Sequence, residues 1–261
     1  MIEYSFSVYE LEYFLLILAR VTAFVYIAPF FSTRGIPNRV KIAFSFFSAL
    51  LLYQTLTPQT DMIHYHTIMG YSMIVMKETI TGLLLGFGSN MCLSIINFAG
   101  SVADMETGLS MVTLMDPTTN QNTSITGVIY QYAFMLMLIA SGMYRFLMGA
   151  LADSFTLIPV NGAIFRSDKL MNAMVDFMGQ YILIGFRIIL PIFCVILLLN
   201  AVLGVLAKVA PQMNMFAVGM QLKVIVGLSV LFLSMGMLGN ISEILFDQMK
   251  EITTSIAEGM L

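Results

Sequence analysis

Four charged residues stand in apolar surroundings: Arg20, Lys77, Glu78 and Arg187. A lone charge at the middle of a membrane costs ~2.5–3.5 kcal/mol on insertion scales, so such residues face a partner or a water-filled path. Lys77 and Glu78 are neighbours, and on a helix their side chains diverge by about 100°, so each needs a partner elsewhere. Two readings are open: a polar pathway or proton relay, and structural ion pairing between helices or subunits. His64 and His66 flank Tyr65 near Asp61, but a metal would need further ligands that the chain does not supply. There is no third histidine for a nucleophile–base relay and no phosphate-cradling glycine loop with its lysine. The expectation is a chain with no catalytic residue, no metal and no cofactor, and not an enzyme.

The elements that hold these charges are apolar. Of 261 residues, 59% are hydrophobic and 10% charged, with a net charge of −3. Soluble domains sit nearer ~45–50% and ~25%, so a polytopic membrane protein in contact with lipid is expected. The near-neutral balance excludes a basic nucleic-acid surface. Residues 79–103, 188–207 and 224–242 are uncharged runs, each close to the ~20 residues that span a bilayer. Residues 13–31, with Arg20 inside, 42–57 and a run beginning at 127–141 bring the total to about six. Residues 68–99 would reach roughly 48 Å as one helix, against a hydrocarbon core of ~30 Å. The acidic start is not that of a cleavable signal peptide. Cys92 and Cys194 lie in apolar runs and are expected to be buried thiols. By alternation Arg34, Arg39, Lys41, Lys208 and Lys223 fall on the inner side, as the positive-inside rule prefers. Arg145, Arg166 and Lys169 then fall outside, so a plain six-span topology fits only in part.

Gly82, Gly86, Asn90 and Ser94 recur every four residues. On a helix they form one small, polar stripe that permits close approach and hydrogen bonding, a packing face rather than a ligand site. Asn200, Gly204 and Lys208 form a second. There are 23 methionines, most of them core filler. A group in the stretch GLSMVTLMDPTTNQNTSI, 108–125, has no helical core to fill. Gly108 and Pro117 allow an irregular backbone there, tolerated at membrane depth only inside protein or beside a water-filled cavity. Met111, Leu114 and Met115 offer an apolar, deformable barrier. Asp116 and the Thr/Asn run after it are expected to face water. The alternative is a simple connecting loop.

Three blocks carry a family resemblance: RVTAFVYIAPFFSTRGIPNRVKI (20–42), AGSVADMETGLSMVTLMDP (99–117) and RIILPIFCVILLLNAVLGVLAKVAPQMNMFAVGMQLKVIVGL (187–228). Across nearly the whole chain they resemble the FliR family of flagellar export-gate proteins and their counterparts in virulence type III secretion. The last block is the most specific, with Pro211, Gln212 and Asn214 followed by Phe216, Gly219 and Lys223. Relatives often carry Arg at the position of Lys208, and Asn-Gly-His where this chain has Ser141-Gly142-Met143.

The resemblance implies an all-α fold of about six long hydrophobic helices arranged as hairpins. Residues 1–261 would form a single export-gate domain, a FliP-like part at 1–180 joined to a FliQ-like helical hairpin at 181–261. It implies partners that are FliP-like, FliQ-like, FlhB-like and FlhA-like, and unfolded protein substrates in transit. It implies a multi-pass protein of the bacterial inner membrane and flagellar basal body, a gate subunit held largely out of the bilayer plane, which would explain the mixed topology signals. The loop near 105–125, with Met105, Gly108, Leu109, Met111, Leu114, Met115, Asp116 and Pro117, would plug the closed channel. Gly82, Gly86, Asn90, Asn200, Gly204, Pro211, Gln212, Asn214, Phe216 and Lys223 would pack helices or subunits. The rival is a secondary transporter using Arg20, Glu78 and Arg187. Such transporters show paired broken helices in two halves, and no second copy is evident here.

Overall fold

The computed structural model describes residues 8–32, 35–56, 65, 67–112, 114–116, 121–212 and 214–261. Among them are eight α-helices: α1 (Val8–Ile27), α2 (Asn38–Thr55), α3 (Ile68–Thr107), α4 (Ile125–Ala140), α5 (Met143–Leu157), α6 (Ser167–Val209), α7 (Met215–Ser234) and α8 (Leu238–Glu258). Strands β1 (Leu114–Asp116) and β2 (Gln121–Thr123) form one short antiparallel pair. The helix boundaries have local causes. Gly108, at φ +81°, ends α3 in the left-handed conformation that favours glycine. Ser124 accepts a hydrogen bond from Gly127 N at 2.9 Å and starts α4. Asn214 does the same for α7 through Ala217 N, at 3.4 Å. Asp168 in the first turn of α6 and Lys208 in its last complement the helix dipole.

The expected count of six hydrophobic helices regroups. Three helical stretches are long and apolar enough to cross a bilayer, Ile68–Thr107, Ser167–Val209 and Phe216–Glu258, or up to four if α4 and α5 are one broken span. α3 and α6 have 40 and 43 residues, about 60 and 65 Å at 1.5 Å per residue, twice a hydrocarbon core of ~30 Å. A charge does not break a helix, so α6 runs straight through Arg187, where the uncharged run begins. α1 carries Glu10, Glu12 and Arg20, α2 carries Arg39 and Lys41, and neither meets the criterion. The helices mark a membrane protein.

The chain forms two compact units, Met1–Met91 with Gly142–Phe177 and Asp247–Leu261, and Cys92–Ser141 with Met178–Phe246. In the first, α1 buries Leu16, Ile17, Val21 and Phe24 together with Leu147, Leu151 and Phe155 of α5. Its other face meets α2 through Phe14, whose ring lies 5.7 Å from Phe46 and 5.9 Å from Tyr53. Gly82 of α3 sits against the Arg20 carbonyl of α1, and a Cβ on Gly86 would come within 2.9 Å of the Phe24 oxygen. The first half of the glycine stripe is therefore a packing face, as its spacing suggests. The C-terminus closes the unit, Ile164 N donating to Met260 O at 2.9 Å and Arg166 N to Gly259 O at 3.0 Å.

In the second unit Ile95, Ile96, Phe134, Leu138, Ile188, Ile192, Ile196 and Leu245 make the core. Gly100 of α3 touches the backbone of Gly127 in α4, and Gly227 of α7 lies on the Thr107 side chain. Tyr130 Oη and Ser234 Oγ hydrogen-bond at 2.7 Å, both buried. Tyr130→Phe leaves Ser234 its bond to Leu231 O at 2.8 Å. The cost should therefore be that of one neutral hydrogen bond, about 1 kcal/mol, read as a small drop in the unfolding midpoint. Cys92 is buried as expected, but Cys194 is exposed, because it shares the outer face of α6 with Phe193, Leu197 and Leu198, which no described residue covers. His64, His66 and Pro117 lie outside the described residues.

Candidate functional site

The charges at Arg20, Lys77 and Glu78 meet in one node of the first unit, with Lys77 half-buried at its edge. Arg20 and Glu78 are fully buried and pair at 2.6 Å through Nε and Oε2. Arg20 Nη1 also donates to Ser154 O at 3.1 Å and Ile158 O at 2.9 Å. These carbonyls lie at the end of α5, where the dipole is negative; Ser154 O keeps its helical donor, Ile158 N, at 2.9 Å, and Ile158 O stands just past the helix, so a guanidinium is the fitting cap. The Phe155 ring covers it, 4.3 Å from Cζ. Pro159 follows, and a turn closes with Gly162 N donating to Pro159 O at 2.8 Å. Asn161 takes φ +66° in that turn, a conformation that asparagine tolerates better than most residues. The turn aims Asn161 N at Glu78 Oε1, 2.8 Å, and Asn161 O at Lys77 Nζ, 2.8 Å. Lys77 and Glu78 thus point apart, as adjacent helical residues must, yet both end on Asn161. Of the two sequence readings, this geometry is that of structural pairing. Arg187 is different. It belongs to the second unit and is exposed, lining a pocket of about 140 Å³ with Pro191, Ser234, Met237 and Asn240. Its expected burial is corrected: apolar neighbours in sequence surround it along the helix, but its own side faces out.

The loop after α3 is the other feature. Met105 is 67% exposed, Gly108 turns the chain, and Leu109 is buried in a single 3₁₀ turn, Leu109–Val112. The chain then pairs with itself, Leu114 opposite Thr123, Met115 opposite Asn122 and Asp116 opposite Gln121. The expected irregular backbone is in part a β-ribbon. The physical reason is that ladder hydrogen bonds satisfy backbone groups away from water, which an open loop cannot do. Asp104, 4% exposed, accepts from Thr126 N at 3.3 Å and from Thr126 Oγ1.

Beside the loop is an open cleft of about 330 Å³ lined by Met105, Glu106, Gly108, Asn200, Phe216 and Lys223, among others. The fold thus brings together residues that the sequence offered as two separate sets, loop entry and packing motif. Gly204 is not in the cleft: no described residue approaches it within 4 Å, so at this position the second stripe has no neighbour among the described residues. Pro211 and Gln212 are exposed in the α6–α7 turn, and Asn90 is half-buried on α3. Sequence reasoning missed Asp104–Thr126, Tyr130–Ser234 and the turn at Asn161. Only the Ser124-x-x-Gly127 spacing, an N-cap pattern, pointed toward the first.

Comparison with known proteins gives the family. Residues 11–249 match the family described as bacterial export proteins, family 1. The chain is 30% identical to the flagellar biosynthetic protein FliR of Bacillus subtilis over 86% of each chain. It is 26% identical to that of Escherichia coli over 92% of this chain and 90% of the relative, and 28% identical to that of Aquifex aeolicus over 83% and 82%. The names describe flagellar biosynthesis and bacterial export, and none describes an enzyme. With nearly all of its helices inside the matched region, the chain belongs to the FliR family of bacterial export proteins.

Proposed function

We propose that the chain is a structural gate subunit of the flagellar protein-export apparatus. It would help form the channel for unfolded substrates and seal it when closed. In this reading 1–180 is the FliP-like part and 181–261 the FliQ-like hairpin. FliP-like, FliQ-like, FlhB-like and FlhA-like subunits surround the chain in the inner membrane at the basal body. The observation that carries the reading is the cleft: the entrance of the loop, at Met105 and Gly108, lies beside Asn200, Phe216 and Lys223 of the most family-specific block. The exposed apolar faces of α6 and α7, with Leu197, Leu198, Val202, Phe232 and Leu233, support cover by neighbouring subunits or lipid. The seal is assigned to Met111, Leu114 and Met115.

Changing all three to glycine is expected to raise ion and small-molecule leak through closed gates on the order of tenfold, since an apolar constriction blocks ions by dewetting. Flux across membranes bearing the co-expressed gate measures this, and an unaltered leak removes the sealing role. The transporter reading finds no support in Arg20 and Glu78, which are sealed and mutually paired. Solute uptake by the purified chain in liposomes would revive it.

A further inference from the structure

We propose that Asp104 and Thr126 form a clamp that holds the two ends of the gate loop together. The two residues are 22 positions apart, at the last turns of α3 and the first turn of α4, and the whole loop lies between them. Asp104 accepts from Thr126 N through both oxygens, at 3.3 and 3.4 Å, and from the Thr126 hydroxyl. The pair is closed off from solvent, Thr126 fully buried and Asp104 4% exposed.

The chemistry explains why a carboxylate is used. The first amides of a helix have no partner within it. Ser124 takes that of Gly127, and Asp104, reaching over from another helix, takes that of Thr126. A negative group at a helix N-terminus meets the positive end of the dipole, and hydrogen bonds to a charged acceptor are roughly twice as strong as neutral ones. Asp104 therefore caps α4 in trans, and the cap is also a tie across the loop. Two contacts fix the rest of the base. Gly100 lies directly on the backbone of Gly127, which leaves no room for a side chain at position 100. Thr107 hydrogen-bonds Ala103 O at 2.9 Å and sets its methyl group on Gly227 of α7. With both ends held, the ribbon of β1 and β2 has a defined origin. A loop whose ends are free would lose the entropic advantage of a short, closed segment. Asp104 and Thr126 are positioning residues: they need touch no substrate.

This inference takes its functional meaning from the gate-loop reading, but its test does not depend on leak. The measurement is amide hydrogen exchange across 108–124 in the co-purified complex, for Asp104→Ala, Thr126→Val and Thr126→Ser. Asp104→Ala should speed exchange there about tenfold, the loss of one charge-assisted tie. Thr126→Val should move it in the same direction by less, since the backbone donor remains. Thr126→Ser keeps the hydroxyl and should match the unaltered chain, which a merely packed methyl group would not explain. Should the alanine variant fail to assemble, the valine–serine comparison decides alone. Equal exchange in valine and serine variants overturns the clamp. A clamp that holds while the triple-glycine gate does not leak leaves the clamp and removes the plug. A leaking triple-glycine gate with unmoved exchange does the reverse.

Discussion

Glu78→Ala is expected to prevent the chain from accumulating in folded form. Glu78 neutralises Arg20 at 2.6 Å and accepts from Asn161 N at 2.8 Å, in a site with no solvent access. Removing one partner of a buried pair leaves an uncompensated charge and costs ~3–5 kcal/mol, a large part of the ~5–15 kcal/mol that holds a typical protein folded. Arg20→Ala should be as damaging by a second route, since it strands Glu78 and also takes the guanidinium donor from the Ile158 carbonyl. The double change Arg20→Met with Glu78→Leu should stand closer to the unaltered chain than either single change, because no charge is stranded. It should not reach it, because the end of α5 stays uncapped. The measurement is the amount and thermal midpoint of the chain in the co-purified complex. A proton relay predicts something else: a Glu78→Ala protein that folds and assembles normally but does not work. That result would end the structural reading of the node.

Gly82→Ala should be the most disruptive single methyl group that can be added to the first unit. A Cβ there meets the Arg20 carbonyl oxygen, which is backbone and cannot rotate away. α1 would have to shift, and Arg20 with it. Overpacking of this kind costs typically ~1–3 kcal/mol, occasionally more. The coupling to the charge node places this case at the upper end. At Gly86 the nearest oxygen is 2.9 Å from the added carbon, so Gly86→Ala should cost less. At Gly204 nothing lies within 4 Å, and alanine there should gain up to about 1 kcal/mol from helix propensity alone. Ranked thermal midpoints of the three variants check this. A Gly82→Ala chain as stable as Gly204→Ala would contradict the close crossing of α1 and α3.

The two stripes separate what spacing can and cannot say. Residues four apart lie on one face of a helix wherever that helix is, so 82/86 and 200/204 were equally legible as small faces. Among the described residues Gly82 and Gly86 have a helix against them, and Gly204 has nothing within 4 Å. The loop shows a similar limit. Its glycine stop and apolar first half could be read directly, but its ribbon could not, because strands of three residues are too short for a period of two to show.

The sequence by itself determined that this is a membrane chain of long apolar helices with a loop interrupting them after 108, that Arg20, Lys77 and Glu78 needed partners, and, by its motifs, which family it joins. Local composition suffices for these, because burial cost and helical period are properties of a residue and its near neighbours. The tertiary structure alone decided that Glu78 meets Arg20 58 positions away and Asn161 83 positions away, that Asp104 caps α4, and that Arg187 faces outward. Those pairings depend on which helices the fold brings side by side, and a charge states that it needs a partner without stating where along the chain that partner will be.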